Sequence, residues 1–347
     1  EVARKEGLFD WLAVQAVRHS RGSASRLFAI VYAVGTIVTV FLSNDATAVV
    51  LTPAVYAATR AAKVEPLPYL FVCAFIANAA SFVLPISNPA NLVVFGARMP
   101  TLLEWLRYFV LPSVASIVVT FILLRVSQRG SLTGRVDDKS EHVDLTRNAV
   151  IVACGLAATA IVLLSASAFG RDLGLPTFIC GSVVTLIVLL LGRKSPMPVL
   201  RDVSWSVLPL VAGLFILVEG LNHTGALSTL TGLLKQAAAN ALRETSWGAG
   251  IITAIASNLI NNLPMGLIAA TTTQAAHSPH QVTAAILIGV DLGPNLSVTG
   301  SLATILWLVA LRREGEHVGA LRFLRLGILV MPPALILSLL ALSLVGP

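Results

Sequence analysis

Four short polar clusters interrupt an otherwise apolar chain, and their side chains are of the kinds that hold a small hydroxyl-rich ligand or carry a proton. They are Ser43-Asn44-Asp45-Ala46-Thr47; Ser87-Asn88-Pro89-Ala90-Asn91; Ser257-Asn258 with Asn261, Asn262 and Pro264; and Asp291, Gly293, Pro294 and Asn295 followed by Thr299-Gly300-Ser301 and Thr304. Short Asn, Ser and Thr side chains supply neutral donors and acceptors. Asp45 and Asp291 are different in kind, because an ionisable group at membrane depth is costly and marks a functional site. They are the candidates for a change of protonation. A third acid, Glu219, stands beside Asn222 and His223 at the end of its apolar segment, an interfacial position. No Lys or Arg occurs in any cluster, which weighs against clamping a carboxylate, although helix N-termini also hold anions. Of the histidines, His19, His142, His277 and His317 fall in loops or at their edges, His280 follows in "HSPHQ", and none has a zinc-ligand spacing. Cys73, Cys154 and Cys180 are dispersed and suggest neither a disulfide framework nor a metal site. No metal, no cofactor and no nucleophile–base pair is visible, so the residues point to transport and away from catalysis.

The elements that must position these clusters are membrane helices. Of 347 residues, 56% are hydrophobic and 12% charged, and the mean hydropathy is +0.84; a soluble domain carries about 25% charged residues. Apolar stretches fall at 26–42, 46–59, 67–85, 105–124, 149–168, 175–192, 206–221, 247–260, 263–276, 282–309 and 326–345. Crossing the hydrocarbon takes about 20 residues, and several stretches are shorter, two pairs of them separated by a polar cluster and not a loop. Gly and Pro in "ISNPAN" and "DLGPNLSVTGS" break a helix. Irregular backbone at that depth is tolerated only inside protein or along a cavity. The opening "EVARKEGLFDWLAVQAVRHSRG" reads as an amphipathic helix and not a signal peptide.

Charge sets the orientation. The formal +7 reflects basic residues on cytoplasmic loops, not nucleic-acid binding. With Arg18 to Arg26, Arg60 and Lys63, Arg125 to Arg147, Arg193 to Arg201, and Arg312 to Arg325 in the cytoplasm, segment 26–59 enters and leaves on that side, 247–276 does so from outside, and the C-terminus is external. "SNDATAVV" can be laid on "INNLPMGL", pairing Asn44 with Asn261; in the following segments Asn78 pairs with Asp291 and Asn91 with Thr304. Opposite entry with internal similarity is the signature of an inverted-topology repeat in a secondary transporter. The predicted organisation is an N-terminal repeat at 1–125 (hairpin about 26–59, broken helix about 67–101), a polar cytoplasmic linker at 126–147, and a C-terminal repeat at 148–347 (hairpin about 247–276, broken helix about 282–309).

"FLSNDATAVVLTP", "SNPANLV", "SNLINNLPMGLI" and "DLGPNLSVTGSLATILWL" resemble the arsenite efflux permeases of the ArsB type, within the wider ion transporter superfamily. The resemblance runs over essentially the whole chain and implies that the family's first spans precede Glu1. It departs at Asn78, where members often carry an acid, and at Asn295, where they vary. It implies an all-α polytopic protein of the cell inner membrane, with two re-entrant hairpins and two broken helices, that exports arsenite and antimonite against inward proton movement by an elevator-like alternating access. A cytoplasmic ATPase subunit is the optional partner it implies. Asp45 and Asp291 become the proton-coupling candidates. Asn44, Thr47, Asn88, Asn91, Asn261, Asn262, Asn295 and Ser301 bind substrate or hold the hairpin tips, supported by Ser43, Asn78, Gly293, Thr299 and Thr304. The rival readings are a sodium- or proton-coupled carrier of another small oxyanion, carboxylate or cation, and a structural or channel protein, which would not need two acids at helix breaks.

Overall fold

In the computed structural model, residues 2–96, 99–137, 144–202, 205 and 207–345 are described, and among them the secondary structure is helical throughout, with a single β-bridge between Ser23 and Arg135. The helices are α1 (Val2–Lys5), α2 (Leu8–His19), α3 (Ala24–Phe41), α4 (Asn44–Ala46), α5 (Thr52–Ala61), α6 (Leu67–Ala79), α7 (Pro89–Phe95), α8 (Leu102–Ser127), α9 (Arg147–Ala168), α10 (Gly174–Leu191), α11 (Met197–Asp202), α12 (Val207–His223), α13 (Ala226–Asn240), α14 (Leu242–Ile260), α15 (Asn262–Ala276), α16 (His280–Leu292), α17 (Leu302–Arg313) and α18 (Ala320–Leu344). Among the described residues, five helices are long and apolar enough to cross a membrane: α3, α8, α9, α10 and α18. The protein is a multi-pass membrane protein. α10 exposes apolar residues along most of its length, as a helix facing lipid does, whereas α6 is buried on nearly every side.

Both hairpins end at a helix N-cap. Ser43 closes the first tip, its hydroxyl accepting from the Ala46 amide, and α4 runs through a π-helical turn, Thr47–Leu51, into α5. Pro53 supplies no N–H to the start of α5, which is why the regular ladder loosens just before it. Asn261 closes the second tip at φ 75°, with its side chain accepting from the Leu263 amide. By cap position, then, Ser43 matches Asn261 and Asn44 matches Asn262. This corrects the expected pairing of Asn44 with Asn261 by one residue.

The broken helices are α6 and α7, joined by a bent segment with a 3-10 turn at Pro85–Ser87, and α16 and α17, joined through a 3-10 turn at Gly293–Leu296. Asn78 and Asp291 each stand one residue before the end of their helix, Asn91 and Thr304 each third in theirs, and Asn88 and Ser301 at the N-caps. Each hairpin packs against the distal half-helix of the other series: the first touches α17, the second touches α7. α14 crosses α16 closely because both are glycine at the contact; a Cβ on Gly289 would run into the Gly250 carbonyl and the Thr253 hydroxyl.

The loops carrying basic residues gather at one end. Val136 N–H donates to the Gly22 carbonyl, Asp137 N–H to that of Ala62, and the Asp137 carboxylate pairs with Lys63 at 2.9 Å. So the start of the linker straps the base of the first hairpin; its residues 138–143, with His142, lie outside the described residues. Two aromatic groups hold the broken helices: Trp307 Nε1 donates to the Leu70 carbonyl at 2.9 Å and its ring packs at a tilt against Phe71 and Phe323, and Trp105 Nε1 reaches the Phe82 and Val83 carbonyls.

Candidate functional site

The two broken helices meet where both are interrupted. A helix end leaves carbonyls and amides without partners, and here side chains from the opposite series and from neighbouring helices of the same series supply them. Asn295 Nδ2 donates to the Phe75 carbonyl at 3.0 Å, Ser116 Oγ on α8 to the Ala79 carbonyl at 2.8 Å, and Asn258 Nδ2 to the Gly293 carbonyl at 2.9 Å. The C-terminal ends of α6 and α16 and the N-terminal ends of α7 and α17 converge, so four half-helix termini with opposite partial charges surround one point.

Two bonds cross the centre in matching positions. Asn88 Nδ2 donates to Asp291 Oδ1 at 2.9 Å, while Asn88 Oδ1 caps α7 by accepting from the Ala90 amide. Ser301 Oγ donates to Asn78 Oδ1 at 3.4 Å and caps α17 by accepting from the Thr304 amide at 3.1 Å. In each case the cap residue of one distal half-helix bonds the penultimate residue of the other series' proximal half-helix. Around them, Asn78 Nδ2 donates to Asn295 Oδ1 at 2.9 Å and to Thr304 Oγ1 at 3.5 Å, and Ser81 Oγ lies 2.6 Å from Asp291 Oδ2. All of these residues are buried, and Asp291 completely so. The two halves differ at both ends of this exchange: the acceptor is a carboxyl in one and an amide in the other, and the capping donor is an amide in one and a hydroxyl in the other.

The structure therefore brings Asn78, Asn88, Asp291, Asn295, Ser301 and Thr304 into one hydrogen-bonded centre. Asn91 braces the first break, its Nδ2 donating to the carbonyls of Ser81, Leu84 and Pro85, while its Oδ1 is buried without a partner. Asn261 Nδ2 donates to the Thr299 carbonyl and Asn262 N–H to that of Gly300 at 2.8 Å, which docks the second tip on the second break. The first tip is held by its neighbours: Thr47 Oγ1 lies 2.8 Å from Thr39 Oγ1, Ser87 Oγ donates to the Val40 carbonyl, and Asn44 Oδ1 accepts from the Asp45 amide. Asp45 is half-buried, and among the described residues no donor reaches its carboxylate. It is not joined to Asp291 or its partners.

Of the residues of this region, Ser81 and Ser297 were not singled out from sequence, and Asn258 was named in the third polar cluster without an assigned role. Asn258 organises the second break, accepting from Ser297 Oγ at 2.7 Å on its Oδ1 and from Thr299 Oγ1 on its carbonyl. Ser81 follows Asn78 by one helical turn, the only signal that could have pointed to it. Glu219 is exposed and sits 3.3 Å from His223. Cys73 is buried among apolar residues, and no group of three or more His, Cys, Asp or Glu that could hold a metal occurs among the described residues.

Comparison with known proteins gives three findings. The family model described as citrate transporter, CitMHS, matches residues 1–289. Similar proteins include an arsenical pump membrane protein of Escherichia coli K12, 28% identical over 98% of this chain and 82% of that protein, and one of Yersinia enterocolitica with the same identity and coverage. The crystal structure of the Alcanivorax borkumensis YdaH transporter, reported to have an unusual topology, superposes with a TM-score of 0.60 at 18% identity, covering 100% of this chain and 84% of that one. This last likeness concerns the fold alone.

Proposed function

Because the chain belongs to the CitMHS family of transporters, we propose that it is a secondary transporter exporting arsenite, and antimonite, from the cytoplasm in exchange for protons. The observation that carries this reading is the chemistry of the crossing: amides, hydroxyls and backbone groups, with one carboxyl and no Lys or Arg bonded to it among the described residues. Arsenite near neutral pH is largely an uncharged trihydroxide, so it asks for neutral donors and acceptors and no counter-charge. Relatives named as arsenical pump membrane proteins support the same cargo. No thiol trap is needed. Cys73 packs in the core, and a pump must release what it binds.

The half-helix ends and Asn78, Asn88, Asn295, Ser301 and Thr304 bind the trihydroxide; Asn44, Thr47, Asn91, Asn261, Asn262, Ser43, Gly293 and Thr299 hold the tips and breaks that shape the site. Asp291 carries the coupling proton at the crossing. Asp45, at the first tip, is the second proton-coupling candidate. The two series are inverted repeats, and the hairpins with the broken helices move against a scaffold of the long helices to give alternating access. The basic loops, gathered at one end, face the cytoplasm and are where an ATPase subunit would dock; the C-terminus is external, and the membrane is the cell inner membrane.

The family's description supports a second reading, a carboxylate such as citrate held by the helix N-termini. Flux in proteoliposomes under an imposed pH gradient, with sodium present or absent, separates the two. Arsenite movement driven by the pH gradient without sodium is the expected result; citrate movement, or a strict sodium requirement, would replace this reading.

A further inference from the structure

The Ser81 hydroxyl has one hydrogen and two acceptors within reach: the Asn78 carbonyl at 2.7 Å and Asp291 Oδ2 at 2.6 Å. It cannot donate to both. The other Asp291 oxygen is already committed. Asn88 Oδ1 faces the Ala90 amide, which fixes the orientation of the carboxamide and turns its Nδ2 donors to Asp291 Oδ1. A proton on this carboxyl therefore sits on Oδ2, facing Ser81 Oγ.

We infer that Ser81 is the positioning residue that relays the proton occupancy of Asp291 to the end of α6. When Asp291 is charged, Ser81 O–H donates to Oδ2, and the Asn78 carbonyl keeps only the distant Ser81 amide at 3.3 Å. When a proton arrives, Asp291 Oδ2–H donates to Ser81 Oγ, and the serine hydrogen turns to the Asn78 carbonyl. The switch is a rotation of one hydroxyl; no atom is gained or lost besides the transported proton. Its far end is the residue whose side chain meets Asn295, Ser301 and Thr304 of the other series. The swap therefore reaches both halves of the crossing. This inference rests on the reading of Asp291 as the coupling site.

Among the described residues, no other titratable group competes. α7 and α15 carry none. Arg243 and Glu244 open α14, Arg322 and Arg325 lie in the first two turns of α18, and His280 begins α16 itself. Glu104, Arg107, Tyr108 and Arg125 lie towards the ends of α8, while α6 has only Tyr69 and Cys73. None of them bonds to Asp291, whose partners are Ser81 and Asn88.

The test is a pH titration of the purified protein by infrared difference spectroscopy, following the carboxylic C=O band that disappears in Asp291→Asn. Ser81→Ala removes one of two donors to the charged carboxylate, and the loss is larger for the charged form than for the neutral one. The band's midpoint should move about one pH unit towards alkaline, a tenfold change in proton affinity. Ser81→Thr keeps the hydroxyl and should restore the original midpoint; Ser81→Cys, a weaker donor, should fall between. An unchanged midpoint in Ser81→Ala, with the band still present, overturns the relay and leaves Asp291 as the proton site. Absence of any band assignable to Asp291 overturns the coupling reading, and the relay with it.

Discussion

Removing the Asn88 side chain should separate the two functions it combines. Asn88→Ala deletes the cap of α7, about 0.5–2 kcal/mol, and the bond to Asp291 Oδ1. Side-chain bonds between membrane helices average only about 0.6 kcal/mol and reach about 1.7. The Asp291 bond belongs at the upper end, because at 2.9 Å it is one of two that a fully buried carboxyl receives. The total loss is about 2–3.5 kcal/mol. Ser301→Ala, at the matching position, removes a similar cap but a longer, neutral bond of 3.4 Å worth about 0.5 kcal/mol, and should cost about 1–2.5 kcal/mol, about 1 kcal/mol less than Asn88→Ala. Asn88→Asp isolates the terms: Asp caps a helix as well as Asn does, yet it turns the donor facing Asp291 into an acceptor. The assay is thermal stability of the detergent-solubilised protein, read as the fraction eluting monodisperse after heating. The expected order is wild type, then Ser301→Ala, with Asn88→Ala and Asn88→Asp both lower. An Asn88→Asp variant as stable as wild type would refute the argument, since the bond to Asp291 would then contribute nothing.

Gly289→Ala should lower the yield of folded protein and its melting temperature, because the added methyl meets a backbone carbonyl that cannot move aside; overpacking of this kind costs about 1–3 kcal/mol, and chromatography of the solubilised protein reads it. Asn261→Gly should keep the second tip's backbone at φ 75°, whereas Asn261→Ala should cost about 1 kcal/mol or more, from strain and the lost cap, and the difference should appear in the same melting assay.

Much of this arrangement was legible in the sequence, and the limits have physical causes. The hairpins and broken helices announced themselves because Asn, Asp, Gly and Pro inside apolar runs have few other uses. Pairing Asn78 with Asp291 and Asn91 with Thr304 found residues that occupy equivalent turns of their helices. The tips slipped by one because Ser43 and Asn261 do the same capping work with different side chains. α13 gave no signal, since "ALSTLTGLLKQAAAN" is only weakly apolar. Ser81 was hidden for another reason: in "ANAAS" it looks like small-residue packing, and its partner lies 210 positions away. Adjacent residues on a helix point about 100° apart. This is how Asn44 is buried while its neighbour Asp45 stays half-exposed and without a donor, a distinction that composition alone does not carry.

In the proposed cycle a proton at the crossing of the broken helices drives the cargo out. Arsenite flux in proteoliposomes under an imposed pH gradient, compared between wild type, Asp45→Asn and Asp291→Asn, tests it most directly. Gradient-driven flux in wild type and its loss in Asp291→Asn are the expected results. Gradient-driven flux that survives Asp291→Asn, whatever Asp45→Asn does, would overturn the assignment.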